Sequence, residues 1–317
     1  MINRNIRTDL AIEARELYSE DKNVEIPGVK VDQKNCGDYT VTKVDIFSEE
    51  GKNIMGKEKG VYITIESKLI SFDDDDARNT IIDAVHTELS EILGDFKNKK
   101  ALVIGLGNWN ITSDSLGPKV VSRILVTRHL FEAYNKEYDD TLNEVAALSP
   151  GVMGITGIET SEIVKSLVDM IKPDVVIAVD ALASRKLERV NNTVQISTAG
   201  ISPGAGIGNM RKALNREYLN VPIIAIGVPT VVDAATLTSD VIDCTIDNLM
   251  QETQKGKDFY KMLKSLREEE KYSLIKDVLE PYGQNVVVTP KDIDEIIDNV
   301  SYIISSAINK SLHPGIN

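Results

Sequence analysis

The sequence predicts an α/β protein with a central, mostly parallel sheet flanked by helices and a smaller β-rich region at the N-terminus. Two observations support this prediction. From residue 98 onward, apolar runs rich in β-branched residues alternate with segments of helical periodicity, which is typical of parallel βαβ units. Before that point, residues 24–67 alternate between apolar and polar side chains with period two, which favours half-buried antiparallel strands. We therefore divide the chain into an N-terminal region, residues 10–97, and a core, residues 98–317.

In the N-terminal region, the alternation predicts strands at residues 24–26, 29–31, 39–47 and 60–66. Residues 48–52 are charged and are predicted to form a hairpin tip. A helix is predicted over residues 77–93, where apolar side chains recur at helical spacing. The acidic run 73–76 comes directly before this helix. Acidic residues cap a helix N-terminus and suit its dipole, so capping is favoured over a metal site.

In the core, strands are predicted at residues 101–105, 174–180 and 221–229, and helices at residues 118–131, 159–171 and 232–250. Residues 252–272 are charged and fit a solvated helix or a connector. A final helix is predicted to begin at Thr289, with Pro290 in its first turn. Its packed face is expected to consist of Ile293, Ile296, Ile297, Val300, Ile303 and Ile304.

The composition limits the partners that the chain can have. The formal net charge is −13, which repels nucleic acid and anionic lipid, so neither is expected as a direct partner. The N-terminal residues show no signal-peptide pattern, and no apolar run reaches the ~18 residues of a membrane span. The two cysteines, Cys36 and Cys244, are far apart in the sequence, which favours reduced thiols. We expect a cytoplasmic protein.

Two aspartates follow apolar strands and are the strongest candidates for catalysis. Asp114 lies in the loop after strand 101–105, and Asp180 ends strand 174–180. Ligands of open α/β sheets bind beyond the carboxyl ends of the strands, so both carboxylates point to the expected site, where a pair supports acid/base hydrolysis. Two alternatives stay open. Asp114 is also placed to cap the following helix, and Asp180 to cap the next segment or to pair with Arg185.

Two glycine-rich loops are candidate walls of the site. The first contains Gly151, Gly154 and Gly157 just before a helix, so its backbone amides are placed to bind a carbonyl or oxyanion. The second, residues 201–209, is too irregular to assign to phosphate binding. Either loop is equally well a plain connector.

Two other motifs are judged unlikely to carry chemistry. Gly105 and Gly107 suggest dinucleotide binding, but Asn110 stands where the third glycine of that fingerprint belongs. His129 is predicted at the end of helix 118–131, where it favours the helix dipole or packing rather than catalysis.

Several long blocks of the sequence resemble the germination protease family of spore-forming bacteria. These blocks are residues 105–118 (GLGNWNITSDSLGP), 125–131 (LVTRHLF), 148–160 (LSPGVMGITGIET), 176–185 (VIAVDALASR), 188–197 (ERVNNTVQIS) and 224–234 (IAIGVPTVVDA). The resemblance runs from Arg7 to the C-terminal helix. It implies an endopeptidase that degrades small acid-soluble spore proteins when germination starts, located in the forespore or spore core. It also implies a fold similar to hydrogenase maturation proteases and a homotetramer.

The same resemblance implies the site residues. The family is regarded as an atypical aspartic protease, and its two essential aspartates match Asp114 and Asp180. We expect no cofactor and no metal ligand. Its members are zymogens that remove their own N-terminal segment, which here is a propeptide of residues 1–9. Family substrates resemble Thr-Glu-(Phe/Ile)-Ala-x-Glu, cut after the first glutamate. Residues 8–13 read Thr-Asp-Leu-Ala-Ile-Glu, so the resemblance implies self-cleavage between Asp9 and Leu10.

An acidic residue before the cut requires a donor that recognises it. The arginines of the motif regions, Arg128, Arg185 and Arg189, are the candidates, and the sequence does not choose among them. Two other functions are weighed against the aspartic endopeptidase. One is a metal-dependent peptidase, although no histidine lies near either aspartate motif, and the other is a non-catalytic protein that binds spore proteins.

Overall fold

In the computed structural model, the described residues are 8–18, 25–134, 141–202, 212–252, 270, 275, 278 and 286–316. Their helices are α1 (Ala11–Tyr18), α2 (Glu49–Met55), α3 (Asp75–Leu93), α4 (Leu116–Val121), α5 (Arg128–Tyr134), α6 (Met153–Thr156), α7 (Thr160–Ile171), α8 (Arg216–Leu219), α9 (Ala234–Glu252) and α10 (Ile293–Leu312). Their strands are β1 (Val29–Asn35), β2 (Thr40–Ile46), β3 (Gly60–Glu66), β4 (Lys100–Gly105), β5 (Glu144–Leu148), β6 (Val175–Ser184), β7 (Thr193–Ser197), β8 (Ile223–Asp233) and β9 (Val287–Val288).

The described strands form one mixed sheet. Its order is β1-β2-β3-β7-β8-β6-β4-β5, and β9 pairs with β8. Strands β8, β6, β4 and β5 are parallel to their neighbours within this group, and the other pairs are antiparallel. The α/β class is confirmed, and the parallel part contains all three apolar strands predicted for the core. Because β3 pairs with β7, the N-terminal strands extend this sheet instead of forming one of their own.

The first predicted strands differ from the structure. Residues 25–26 belong to no strand, and Val24 lies outside the described residues. Strand β1 is exposed along nearly its whole length, so the half-buried prediction is wrong for it. The reason is its place at the edge of the sheet, beyond the apolar cluster that α1 and α2 form with β2 and β3.

Residues 48–52 form the start of helix α2 and not a hairpin tip. The Ser48 hydroxyl oxygen accepts the N–H of Gly51 at 3.0 Å, which caps the helix. The turn packs closely against the chain before β1, since a Cβ on Gly51 would lie 2.5 Å from the carbonyl oxygen of Gly28. The helix signal was hidden by the short, charged sequence.

The acidic run before α3 caps that helix, as predicted. The Asp74 carboxylate accepts the N–H of Ala77 at 3.0 Å, and Arg78 pairs with Asp73 and Asp75. Within the described ranges, no group of three or more His, Cys, Asp or Glu side chains is arranged to hold a metal ion.

Helices cover both faces of the sheet. Helices α3, α4 and α10 bury the larger apolar cluster against one face, and α7 and α8 bury a second cluster against the other. The predicted inner face of α10 is buried throughout. That helix begins at Ile293 and not at Thr289, because the Thr289 hydroxyl instead donates to the carbonyl oxygen of Thr230 at 2.8 Å.

The helix predicted over residues 118–131 is two helices, α4 and α5. The chain between them is held by other elements: Leu125 N–H donates to the Asn309 side chain at 2.9 Å, and Thr127 N–H donates to the Val145 carbonyl at 3.0 Å. His129 therefore lies in the first turn of α5, and its predicted place at a helix C-terminus is wrong.

Two predictions concern residues that lie mostly outside the described ranges. Apart from residues 201–202, 252 and 270, the second glycine-rich loop and the charged segment 252–272 lie outside the described residues. Among the helices that are described, none has the length and apolar character needed to span a membrane.

Candidate active site

Asp180 lies inside a strand and not at the end of one. Strand β6 continues to Ser184 because β8 pairs with it beyond that point, and Asp180 is opposite Gly227 in their register. The side chain is buried, at 5% exposure, and the strand residues before it are all apolar. Burial of a carboxylate in an apolar strand costs free energy. A carboxylate that is buried despite this cost is typical of a functional site.

Asp114 ends a short 3-10 turn, Thr112–Asp114, between β4 and α4. Its carboxylate accepts the N–H of Asn108 at 2.8 Å, and the same N–H is 3.0 Å from its carbonyl oxygen. Ser115, and not Asp114, is the N-cap residue of α4, and its side chain makes no capping hydrogen bond. The alternative in which Asp114 caps the following helix is therefore wrong.

The glycines around Asp114 allow backbone segments to approach closely. A Cβ on Gly105 would lie 2.2 Å from the Gly117 carbonyl oxygen, and one on Gly107 would lie 2.0 Å from that of Asp114. Gly107 also has φ +112, which a side chain rarely adopts. The N–H of Leu106 in this loop donates to the carbonyl oxygen of Val179 at 2.8 Å. These contacts explain the glycine pattern without a bound dinucleotide.

Thr230 of β8 fixes the turn that carries Asp114. Its hydroxyl donates to the Ser113 carbonyl oxygen at 2.6 Å, and the residue is 1% exposed. The turn is thereby held to the same sheet that contains Asp180.

The two aspartates line one cavity of about 460 Å³. Asp9, Lys57 and Gln195 line the same cavity. The structure thus brings together Asp114, Asp180 and the residue before the predicted self-cleavage point.

The N-terminal segment lies along β6 and β7 at this cavity. Asp9 N–H donates to the Ala183 carbonyl at 3.0 Å, and Ala183 N–H donates to the Asp9 carboxylate at 2.8 Å. The Gln195 side chain accepts the N–H of Ala11 at 2.7 Å and donates to the Asp9 carbonyl oxygen at 3.2 Å. Leu10 is fully buried against Leu182.

Lys57 lies beside the Asp9 carboxylate. Its ammonium donates to the Thr8 carbonyl oxygen at 2.9 Å. Burial raises the pKa of Asp9, while the charge of Lys57 and the Ala183 amide act to lower it. Burial lowers the pKa of Lys57, against the opposing charges of Asp9 and Glu13.

Glu13 is buried in a set of donors, with a side chain only 1% exposed. Its carboxylate accepts the N–H of Arg185 at 2.7 Å and of Lys186 at 3.0 Å, and it lies 3.3 Å from the Arg189 guanidinium. The Thr8 hydroxyl donates to the same carboxylate. These donors together satisfy one buried carboxylate.

Arg189 connects Glu13 to other acidic groups. Its guanidinium binds both carboxylate oxygens of Glu16, at 2.8 and 2.6 Å, and donates to Glu66 at 2.8 Å. Burial acts to lower the pKa of Arg189, but the bonds to Glu16 and Glu66 outweigh it and raise the pKa. Arg189 therefore stays charged within the site.

The family to which the chain belongs follows from comparison with known proteins. The model of the germination protease family matches residues 8–264 and 245–317. The germination protease of Caldanaerobacter subterraneus subsp. tengcongensis is 51% identical, over 98% of this chain and 95% of its own length. That of Clostridium tetani is 50% identical over 98% and 97%, and that of Bacillus licheniformis 41% over 98% and 94%. The chain belongs to the germination protease family. The resemblance of the sequence blocks is thereby confirmed, and the chain is a peptidase.

A solved structure was also matched, that of a [NiFe] hydrogenase maturation protease, HycI, from Thermococcus kodakarensis. The match covers 70% of this chain and 98% of that one, with 13% identity and a TM-score of 0.33.

Some residues predicted for this germination protease site lie elsewhere. Arg128 pairs with Glu132 at 2.6 Å and lies 3.7 Å from Glu144, and it does not line the cavity. The loop of Gly151, Gly154 and Gly157 does not line it either. The reason is topological, since both positions flank β5, the edge strand, which β4 separates from β6.

Arg185 and Arg189 do contact an acidic residue, but a different one from that expected. They were predicted for the acid before the cut, Asp9, whereas the backbone N–H of Arg185 and the guanidinium of Arg189 contact Glu13, four residues farther along the chain. The guanidinium of Arg185 lies 3.9 Å from Asp240. Lys57, Gln195 and Thr230 were not among the site residues predicted from the sequence. Lys57 and Thr230 had no distinguishing signal, but Gln195 had one, as a polar residue in the buried strand β7.

Proposed function

We propose that this chain is an endopeptidase that cuts small acid-soluble spore proteins when germination starts, and that it matures by cutting itself between Asp9 and Leu10. Asp114 and Asp180 carry out the chemistry. The observation that carries this proposal is the cavity that both aspartates share with Asp9. The chain's copy of the substrate pattern, residues 8–13, is the segment that enters it.

The reaction requires two opposite proton transfers. One aspartate takes a proton from a water molecule, whose oxygen bonds to the carbonyl carbon of Asp9. The C–N bond to Leu10 then breaks, and the other aspartate gives its proton to the leaving nitrogen. The products are a carboxyl group on Asp9 and an amine on Leu10. Two carboxylates in one site share a proton, which supplies one base and one acid.

The contacts of the N-terminal segment account for four positions of the substrate pattern. The acid before the cut accepts the Ala183 amide and lies beside Lys57. The apolar residue after the cut is buried against Leu182, and Ala11 is completely buried, which leaves no space for a larger side chain. The final acid, Glu13, occupies its set of amide and guanidinium donors. A spore protein segment of the same pattern would make the same contacts.

We propose further that the enzyme assembles as a homotetramer in the forespore or spore core and does not bind DNA directly. The net charge of −13 supports the last point, since it opposes binding to phosphates. Substrates are then cut after they leave DNA. Sedimentation measures the assembly, and a micromolar, salt-dependent affinity for duplex DNA would contradict the lack of binding.

One incubation tests the proposed activity. A peptide carrying Thr-Glu-Ile-Ala-x-Glu is mixed with the enzyme, with and without a chelator, and the products are identified by mass. We expect cleavage after the first glutamate in both cases. Cleavage that a chelator abolishes would indicate a metal-dependent peptidase, and binding without cleavage would indicate a non-catalytic binding protein.

A further inference from the structure

We propose that Gln195 is a third catalytic residue, whose side-chain amide holds the scissile bond from both sides and stabilises the oxygen that becomes negative during the reaction. Gln195 Nε2 donates to the carbonyl oxygen of Asp9 at 3.2 Å, and its Oε1 accepts the N–H of Ala11 at 2.7 Å. The bond to be cut, Asp9–Leu10, lies between these two contacts. The inference rests on the proposed function.

The orientation of the Gln195 amide follows from its partners. The N–H of Ala11 is a donor only, so the atom that faces it must be the amide oxygen. The NH₂ group then faces the Asp9 carbonyl, which is an acceptor only. A reversed amide would place two donors together on one side and two acceptors on the other.

The sheet fixes Gln195 at the level of Asp180. Both residues are opposite Gly227 in the register of β8, Asp180 from the parallel neighbour β6 and Gln195 from the antiparallel neighbour β7. Residues directly opposite one another point to the same face of a sheet, so both side chains leave the same face. Gln195 is 7% exposed and its strand is buried throughout, which limits its movement.

This geometry suits stabilisation of an oxyanion. When water adds to the Asp9 carbonyl carbon, the carbonyl oxygen gains negative charge, and a donor that is already in place stabilises that charge without reorganisation. The bond from Oε1 to Ala11 holds the residue after the leaving nitrogen and prevents the amide from turning away. The same bond also satisfies the first amide of α1, so the test must separate the catalytic role from a purely structural one.

Two variants separate the catalytic role from the structural one. Gln195→Glu keeps the acceptor for Ala11 but replaces the donor to the carbonyl with an oxygen, whereas Gln195→Met keeps the length and loses both bonds. Gln33→Glu, at an exposed position of β1, is the matched control for the added charge. The measurements are the first-order rate of self-cleavage and the kcat for the Thr-Glu-Ile-Ala-x-Glu peptide, with circular dichroism to check folding.

We expect both Gln195 variants to lose about 10²–10³-fold in rate, as is typical when one oxyanion donor is removed, and Gln33→Glu to match the wild type. If a folded Gln195→Glu enzyme works at the wild-type rate, the inference is wrong, and slow cleavage by Gln195→Met alone would assign Gln195 the structural role. If the wild type cuts neither itself nor the peptide, the proposed function fails, and the inference with it.

Discussion

Asp9 and Ala183 exchange two hydrogen bonds, one from the Asp9 amide to the Ala183 carbonyl at 3.0 Å and one from the Ala183 amide to the Asp9 carboxylate at 2.8 Å. Ala183 is three residues beyond Asp180 on the same strand. The strand that carries one candidate catalytic aspartate therefore also binds the acidic side chain before the proposed cut. In the proposed mechanism, recognition of the acid and the chemistry therefore involve the same strand.

Replacing Asp9 tests this recognition. We expect Asp9→Ala to slow self-cleavage by about 5–150-fold, since it leaves the Ala183 amide without its acceptor, which costs about 1–3 kcal/mol for a buried donor. The rate is measured by mass spectrometry of the intact chain. Asp32→Ala, on the exposed strand β1, is the control and should cleave at the wild-type rate. Equal rates for both variants would show that the Asp9 carboxylate is not recognised.

The docking of the N-terminal segment should depend on pH. Burial raises the pKa of Asp9 above its ordinary 3.8, so the docked state binds the proton more tightly. Asp9 therefore contributes most to docking below the ordinary pKa, and its contribution is lost as the pH rises through the raised pKa. We expect the protection of the α1 amides from hydrogen exchange to be strongest below the ordinary pKa of 3.8 and to fall as the pH rises above it.

This pH experiment uses the Asp114→Asn chain, so that cleavage does not interfere. Adding Asp9→Asn should remove the contribution of Asp9, and Lys57→Met in both chains removes the titration of Lys57, whose pKa depends in part on the charge of Asp9. An unchanged pH dependence after Asp9→Asn would assign the effect to another group.

Lys57 should contribute to the recognition of the acid before the cut. Lys57→Met removes the charge beside Asp9 and the bond to the Thr8 carbonyl oxygen, and we expect self-cleavage to slow by about tenfold or more. Lys59→Met is the control, because Lys59 pairs with Glu49 at the surface. The account would be contradicted if Lys59→Met slowed the reaction as much as Lys57→Met.

We expect the site to recognise Glu13 as part of the substrate pattern. Glu13→Gln removes the charge from a fully buried carboxylate, and we expect about tenfold slower self-cleavage or more. Glu16→Gln weakens a contact of the same Arg189, but residue 16 lies outside the pattern of residues 8–13. We therefore expect the rate of self-cleavage to fall much less. Similar losses in both variants would indicate general loosening of α1.

The sequence predicted the strands and helices that have a strong apolar period, and it failed where a few polar contacts decide the structure. The end of β6 was placed at Asp180 because a charge usually ends an apolar strand, whereas β8 pairs with it as far as Ser184. The split between α4 and α5 depends on bonds that the Leu125 and Thr127 amides donate to Asn309 and Val145, which lie farther along the chain. Such tertiary contacts leave no local pattern.

The candidate site was predicted in the same uneven way. Asp114 and Asp180 were found because they follow strands in family motifs, and they line one cavity. Lys57 lies in the turn before β3, and Gln195 lies in β7. Only the pairing of β3 with β7 and of β7 with β8 brings this antiparallel half of the sheet to the cavity. No motif spacing in the sequence predicts a contact of that kind.

The most direct test of the account is N-terminal sequencing of purified chains held at mildly acidic pH in the presence of a chelator. The wild type should yield a chain that begins at Leu10, and folded Asp114→Asn and Asp180→Asn chains should remain uncut, with rates reduced by about 10³-fold or more. A mature end at another residue would contradict the account. So would normal processing in either folded aspartate variant.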